Sequence, residues 1–351
     1  MVTVHEKTRR ILIIRPSALG DTLLLVPGLY QLAHEAALTV AGRRPGIDFL
    51  SPLIEKSFDY EKGAWHTLFS EKPSCRDLPA LDVQRIICFL TDPDGDASEG
   101  LQACFPDTPL HCFRPFPSKE ENIHVAQYLA QCLHASGLPV DPHQAMEEAT
   151  RTPLLDGKNH VRSGHMVVLH PGSGGERKNY GVELWFHLLQ EVCVDLFRRR
   201  IVLLGPAEEE LYERFEKERW DSSTEIIRCP QKEELLSLLN EAALYIGHDS
   251  GITHLSALLG TPTIALFRDG HSIQWAPLGP DVTVIPNGGE HRVIFERTRE
   301  AIHQRIRYRW YPAESFNCQL SYYGVDRERS QYGFHTFNRT RNTQEFRTRL
   351  R

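Results

Sequence analysis

Three short segments of the 351-residue chain set reactive or anion-binding side chains beside glycine. The first is Gly247-His248-Asp249-Ser250-Gly251, with His254 one turn further on. If a helix opens there, its first N–H groups lack partners and suit an anion such as a phosphate. Asp249 and Ser250 are also capping residue types, so the segment reads equally as a plain helix start. A cap alone has no use for His254, which shares a face with Ser250. The second segment is His170-Pro171-Gly172-Ser173-Gly174-Gly175, followed by Lys178. A Gly/Ser loop can wrap phosphate oxygens with backbone N–H groups, and Lys178 could add a mobile cation. The alternative is a flexible loop with a surface lysine. The third is Ser17-Ala18-Leu19-Gly20-Asp21. Gly20 permits a tight turn, and Asp21 falls at a helix start, where the dipole stabilises a carboxylate. That carboxylate reads either as a general base or as a helix cap.

Other chemistries fit the residues less well. Neither G-x-G-x-x-G nor G-x-x-x-x-G-K-[ST] occurs at these loops, so the usual dinucleotide and P-loop readings fail. Ser250 is out of register with the G-x-S-x-G nucleophile elbow. His248, Asp249 and His254 are metal-ligand types without further support. Asp92-Pro93-Asp94-Gly95-Asp96 resembles a D-x-D metal motif and half an EF-hand. Its glycine comes two places early and no acid closes the loop, which favours a solvated turn.

The elements that must position these segments alternate. Residues 11–15 form an apolar β-branched run, then the Gly20 turn, then an apolar-rich helix over 22–37. Strands are expected at 38–41 and 85–90, and a helix over 124–135. Residues 139–164 read as a linker, being rich in Pro, His, Asp, Gly and charge. The second half is clearer. Strands over 166–169, 201–204, 225–228, 244–246 and 263–267 alternate with helices over 182–197, 208–218, 233–242 and 252–259. Such alternation predicts parallel sheets, which bind ligands at the carboxyl ends of their strands. All three segments fall there.

The length suits about two domains. Forty Lys and Arg against 46 Asp and Glu give a formal charge of −6, which disfavours nucleic acid as a partner. No apolar stretch is long enough to cross a membrane, and the charged N-terminus followed by four apolar residues is too short for a signal core. A cytoplasmic protein is expected. The eight Cys contain no C-x-x-C pair and are expected as free thiols, mostly buried. The Asn338-Arg339-Thr340 sequon has no meaning in that compartment. Residues 319–351 carry seven Arg and three acids. They read as a solvated tail or as a contact with an anionic inner-membrane surface.

Taken together, the segments resemble glycosyltransferase family 9, the ADP-heptose:lipopolysaccharide heptosyltransferases. The resemblance rests on Arg15-Pro16-Ser17-Ala18-Leu19-Gly20-Asp21 and His170-Pro171-Gly172-Ser173-Gly174 with Lys178. It also rests on Asp249-Ser250-Gly251-Ile252-Thr253-His254-Leu255-Ser256-Ala257-Leu258-Leu259-Gly260-Thr261-Pro262, and continues through Ala265-Leu266-Phe267 and Trp275-Ala276-Pro277. It spans roughly residues 10–300.

The resemblance implies an α/β GT-B fold, two Rossmann-like domains facing across a cleft. An acceptor-side domain over 1–150 and a nucleotide-sugar domain over 165–295 are implied, then a crossing helix (296–307) and basic tail within 296–351. It implies Asp21 as catalytic base and Lys178 on the donor phosphates. Ser173 and Gly174 belong to the loop around the diphosphate. Asp249, Ser250, Gly251 and His254 form the donor-binding turn, and Glu208 lies near the ribose. The implied reaction is inverting transfer of heptose or a similar sugar. The donor is a nucleotide-sugar, ADP-linked, and the acceptor a lipopolysaccharide core or other surface glycan or glycolipid. No cofactor or metal is implied. Two features depart from the family pattern: Arg268-Asp269-Gly270-His271-Ser272 follows Phe267, and Tyr180-Gly181 replaces Trp-Pro. A GT-B sugar-nucleotide epimerase or hydrolase, or a catalytically silent binding module, is the alternative.

Overall fold

The computed structural model describes residues 9–310, apart from positions 64, 70–74, 77, 80, 93–94, 119, 156–163, 270–271 and 288. Residues 1–306 form one compact unit and the chain from Arg307 a second, of which only the end of the last helix is described. The basic tail, Asp94, Cys318 and the sequon lie outside the described residues.

The first sheet is wholly parallel. Its strands are β1 (Arg9–Arg15), β2 (Ala36–Gly42), β3 (Lys56–Asp59), β4 (Arg85–Phe89) and β5 (Leu110–Phe113), in the order β3-β2-β1-β4-β5. β1 lies at its centre, and Ile11 to Ile14 are all buried, as a strand covered on both faces requires. Ile11 and Ile13 enter one apolar cluster, Leu12 and Ile14 the other. The period of two therefore sorts four similar residues between two cores. The helices are α1 (Leu19–Leu23), α2 (Val26–Leu32), α3 (Asp96–Cys104), α4 (Val125–Ala135) and α5 (Pro142–Arg151).

The second sheet has β6 (Met166–His170), β7 (Arg199–Leu204), β8 (Thr224–Arg228), β9 (Leu244–His248), β10 (Thr263–Leu266) and β11 (Val282–Ile285). It is also parallel, in the order β11-β10-β9-β6-β7-β8. Its helices are α6 (Val182–His187), α7 (Val194–Leu196), α8 (Glu209–Lys217), α9 (Lys232–Glu241), α10 (Gly251–Leu258), α11 (Ser272–Trp275) and α12 (His291–Trp310). Both strand orders are those of Rossmann-like sheets, with the reversal beside β1 in the first and beside β6 in the second. The α/β GT-B arrangement is thus present. One apolar cluster runs through both halves, joining Ile11, Leu29 and Leu129 to Met166, Leu239 and Leu258. Ile294, Phe295, Ala301 and Ile302 of α12 pack in the cluster on the other face of the second sheet.

Four expectations need correction. Residues 139–164 are not a plain linker. They contain α5, which Asp141 caps by accepting from the N–H groups of His143 and Gln144. The helix expected over 22–37 is two short helices with Pro27 in the first turn of α2, and β2 begins at Ala36. The helix over 182–197 widens to a π-helical turn at Leu188–Cys193 between α6 and α7. The cysteines are not all free: Cys75 and Cys104 form a disulfide. Cys88, Cys132 and Cys193 are buried thiols, and Cys112 and Cys229 are exposed ones.

Candidate functional site

The candidate residues gather where the two strand orders reverse, at the carboxyl ends of β1, β6 and β9. Open α/β sheets bind ligands at such points. α1 starts at Leu19, four residues beyond β1, and α10 starts at Gly251, three beyond β9; the two first turns press against each other. A Cβ on Gly251 would stand 2.6 Å from Leu19 Cγ, and one on Gly20 would stand 3.3 Å from His254 Cδ2. Glycine at both positions lets the helix starts of opposite domains touch. Ser250 is the N-cap of α10, its hydroxyl accepting from Thr253 N–H. That leaves the N–H groups of Gly251 and Ile252 without a partner inside the helix.

Asp249 does not share the capping role. Its Oδ2 accepts from Lys178 Nζ at 2.6 Å, and its Oδ1 stands 3.9 Å from His254 Nε2. Asp249 is buried and Lys178 half exposed. Asp21 lies in the first turn of α1, whose N-cap is Ala18. Burial raises the Asp21 pKa, opposed by the charges of Arg15 and Lys178 and reinforced by Asp249. The Ala18 N–H favours the charged form less strongly. Thus Asp21, Lys178, Asp249 and His254 meet across the domain boundary, although they come from three separate segments.

The neighbouring histidines are neutral structural groups. His254 is buried, and desolvation drives its pKa down to about 4, against the raising effect of Asp249. His248 falls to about 3, again chiefly from burial. Its Nδ1–H donates to Pro171 O at 2.9 Å, and its Nε2 accepts from Tyr180 N–H at 2.9 Å. Both ring nitrogens are therefore engaged, so His248 ties the loop after β6 to β9 rather than presenting a metal ligand. Among the described residues no three His, Cys, Asp or Glu side chains converge as a metal site. Asp92 accepts from the N–H groups of Ala97 and Ser98 and from the Ser98 hydroxyl. From the segment expected as a turn it anchors the start of α3.

Ser173 is buried, and its hydroxyl donates to Gly175 O at 2.9 Å, folding the loop on itself while Gly174 stays exposed. Glu208 is buried just before α8, and its Oε2 accepts from Gly205 N–H at 2.7 Å. A Cβ on Gly172 would fall 2.2 Å from the Glu208 carboxyl carbon. Gly172 of the loop after β6 and the Glu208 carboxylate are therefore in contact. A cleft of about 910 Å³ opens over the ends of β6, β7, β10 and β11, lined by Tyr180, Arg214, Arg268, Asn287 and His291 among others. Of the candidate residues only Glu208 lines it, so this cleft adjoins the Asp21 cluster rather than containing it.

Sequence reasoning missed the residues that hold the two halves at this distance. His124, the N-cap of α4, accepts from Ala126 N–H through Nδ1 and donates from Nε2 to Ala276 O at 2.8 Å. Gln274 Nε2 donates to Glu121 O, and the Trp275 ring leans on Phe116. Their signal is weak: a histidine before a helix, and a tryptophan within a conspicuous but unassigned run.

The family model of glycosyltransferase family 9 (heptosyltransferase) matches residues 112–303, more than half of the chain. No curated protein matches by sequence. Many solved structures share the fold. A glycosyl transferase family 9 protein of Veillonella parvula DSM 2008 has a TM-score of 0.63 at 15% identity, covering 86% of this chain and 98% of that one. Escherichia coli ADP-heptose lps heptosyltransferase II has a TM-score of 0.61 at 15% identity, covering 86% and 99%. Escherichia coli heptosyltransferase WaaC with ADP also has 0.61, at 16% identity, covering 84% and 99%.

Proposed function

The chain belongs to glycosyltransferase family 9, the heptosyltransferases, and from that premise we propose that it is an inverting, metal-independent transferase. It moves heptose or a similar sugar from an ADP-linked donor to a hydroxyl of a lipopolysaccharide core or related surface glycan. The observation that carries this reading is the meeting of Asp21 with Lys178 and Asp249 across the domain boundary. A buried carboxylate with a raised pKa suits a general base working near neutrality. Asp21 takes the acceptor proton as that oxygen bonds to the anomeric carbon, and the bond to the diphosphate breaks on the opposite side. Lys178 and the first N–H groups of α10 receive the charge on the departing diphosphate, so preorganised groups do the work a metal would otherwise do. Ser173 and Gly174 shape the phosphate loop, Glu208 takes the ribose, and His254 and Asp249 border the sugar. The Arg-rich tail fits a peripheral contact with the anionic membrane surface that carries such acceptors.

A thermal-shift panel of ADP, UDP and their sugar conjugates, run in EDTA and followed by transfer assays in the same buffer, tests the reading. Selective stabilisation by ADP compounds and transfer that survives chelation are expected. A UDP-selective shift would favour an epimerase, and no shift a silent binding module. Transfer lost in EDTA and restored by magnesium would end the metal-independent proposal.

A further inference from the structure

Arg15, the last residue of β1, is wholly buried, yet it carries a charge to which the transfer proposed above gives no role. Its guanidinium lies between two rings, with Cζ 5.5 Å from the Phe89 centroid and 5.2 Å from that of Phe116. Nε donates to the main-chain oxygen of Asp21 at 3.0 Å, and Nη1 to Pro115 O at 2.8 Å. Nη2 is buried without a partner. Among the described residues no carboxylate forms an ion pair with it, and the charged group it chiefly feels is Asp21. A buried cation that is not neutralised is costly, and a hydrophobic residue would fill this slot at lower cost. Retaining an arginine here calls for a role beyond packing.

We infer that Arg15 is the positioning residue of Asp21, its Nε fixing the first turn of α1 through the Asp21 carbonyl and its unshared charge holding the Asp21 carboxylate ionised inside the cleft. The inference rests on the reading of Asp21 as the base. Three charged groups act on that carboxylate: Arg15 from β1, Lys178 from the loop after β6, and Asp249 just after β9. Lys178 is already paired with Asp249, so those two largely offset each other at Asp21. Arg15 is the one whose field is not offset. It remains protonated at neutral pH, its pKa lowered by burial only to about 10. The flanking rings contribute on their π faces, which favour a cation while keeping water away.

The test is a carbon-13 NMR titration of aspartate-labelled full-length protein, with the Asp21 signal assigned by its loss in Asp21→Asn. It is paired with the pH dependence of ADP release from ADP-heptose in the presence of lipopolysaccharide core. In Arg15→Met, Asp21 should titrate at higher pH. The acid limb of turnover should move with it, with about a tenfold loss per pKa unit on that limb and recovery above it. In Arg15→Lys the charge remains and the carbonyl bonds are lost. Asp21 should then titrate near its original pH, while plateau turnover falls at least about threefold with donor KM unchanged. A folded Arg15→Met whose Asp21 titration does not move overturns the inference. If Arg15→Met does not fold, Arg15→Lys decides, and unchanged plateau turnover there overturns it. If the titration moves but the rate limb does not follow, it is the assignment of Asp21 as base that fails.

Discussion

At the scale of single residues, environment separates chemical roles that the sequence leaves open. Asp21 could be read as a cap or as a base. In the structure Ala18 occupies the cap position, and the Asp21 carboxylate lies within the electrostatic influence of Arg15, Lys178 and Asp249. Asp21→Asn is nearly isosteric, so melting temperature and ADP affinity should stay close to wild type. Transfer should fall by about 10²–10⁴-fold, the usual contribution of a general base. Calorimetry with ADP beside turnover assays checks both halves; near-normal turnover in a folded variant would send the search for a base elsewhere. The buried histidines give a second prediction. In the unfolded chain His248 and His254 return to the ordinary value near 6.5, whereas in the fold they stand near 3 and 4. Between those values the unfolded state binds more protons. Their contribution is therefore complete above pH 6.5 and lost as pH falls toward 4, at about 1.4 kcal/mol per pH unit for each ring. Urea midpoints from pH 7 to 4 should show this slope, and His248→Asn should make it shallower. An unchanged slope would mean that His248 does not titrate in that window.

At the scale of elements, much of the second half was legible in the sequence. Its strands β6, β7, β9 and β10 are short, buried apolar runs, whereas the partly buried edge strand β11 was not legible. The first half was harder for a physical reason. β3 is only partly buried, β5 is only four residues long, and stretches such as Gly46–Leu50 and Trp65–Phe69 are 3-10 turns, which carry neither period. α5 was hidden because its buried residues are two alanines, Ala145 and Ala149, among polar neighbours. What no local pattern could reveal is the contact of α1 with α10, because it depends on how the two sheets dock. That contact makes a prediction. In Gly251→Ala the new methyl meets Leu19 Cγ and Cβ at 2.6 and 2.8 Å. The helices must part, costing about 1–3 kcal/mol of stability. Asp21 would shift relative to Lys178, and misplacement of about 1 Å can slow a reaction on the order of 10²-fold. Thermal melts and transfer assays check this; a variant with wild-type stability and turnover would show that Leu19 yields freely.

At the scale of the whole molecule, the two sheets do not behave as separate bodies joined by a strap. The apolar cluster on one face of the first sheet continues under the second, so neither half closes its core alone. Polar ties reinforce it on several sides. The N–H groups of Leu154 and Leu155 donate to Leu258 O, His124 donates to Ala276 O, and Lys232 Nζ donates to Asp48 O at 2.7 Å. Breaking the halves apart would expose leucines on both surfaces, each worth roughly 1.5–3 kcal/mol of lost burial. That outweighs what a few interdomain hydrogen bonds contribute, so the shared cluster sets the cooperativity. The two halves should therefore unfold together. Trp65 packs in the outer cluster of the first sheet and Trp185 in that of the second, each almost wholly buried. Variants retaining only one or the other report the two halves independently. Their urea midpoints should coincide, and ADP should move both by the same amount even though it is proposed to sit mainly on the second half. Separate midpoints, or a shift confined to the Trp185 reporter, would mean that the cluster parts before either sheet unfolds.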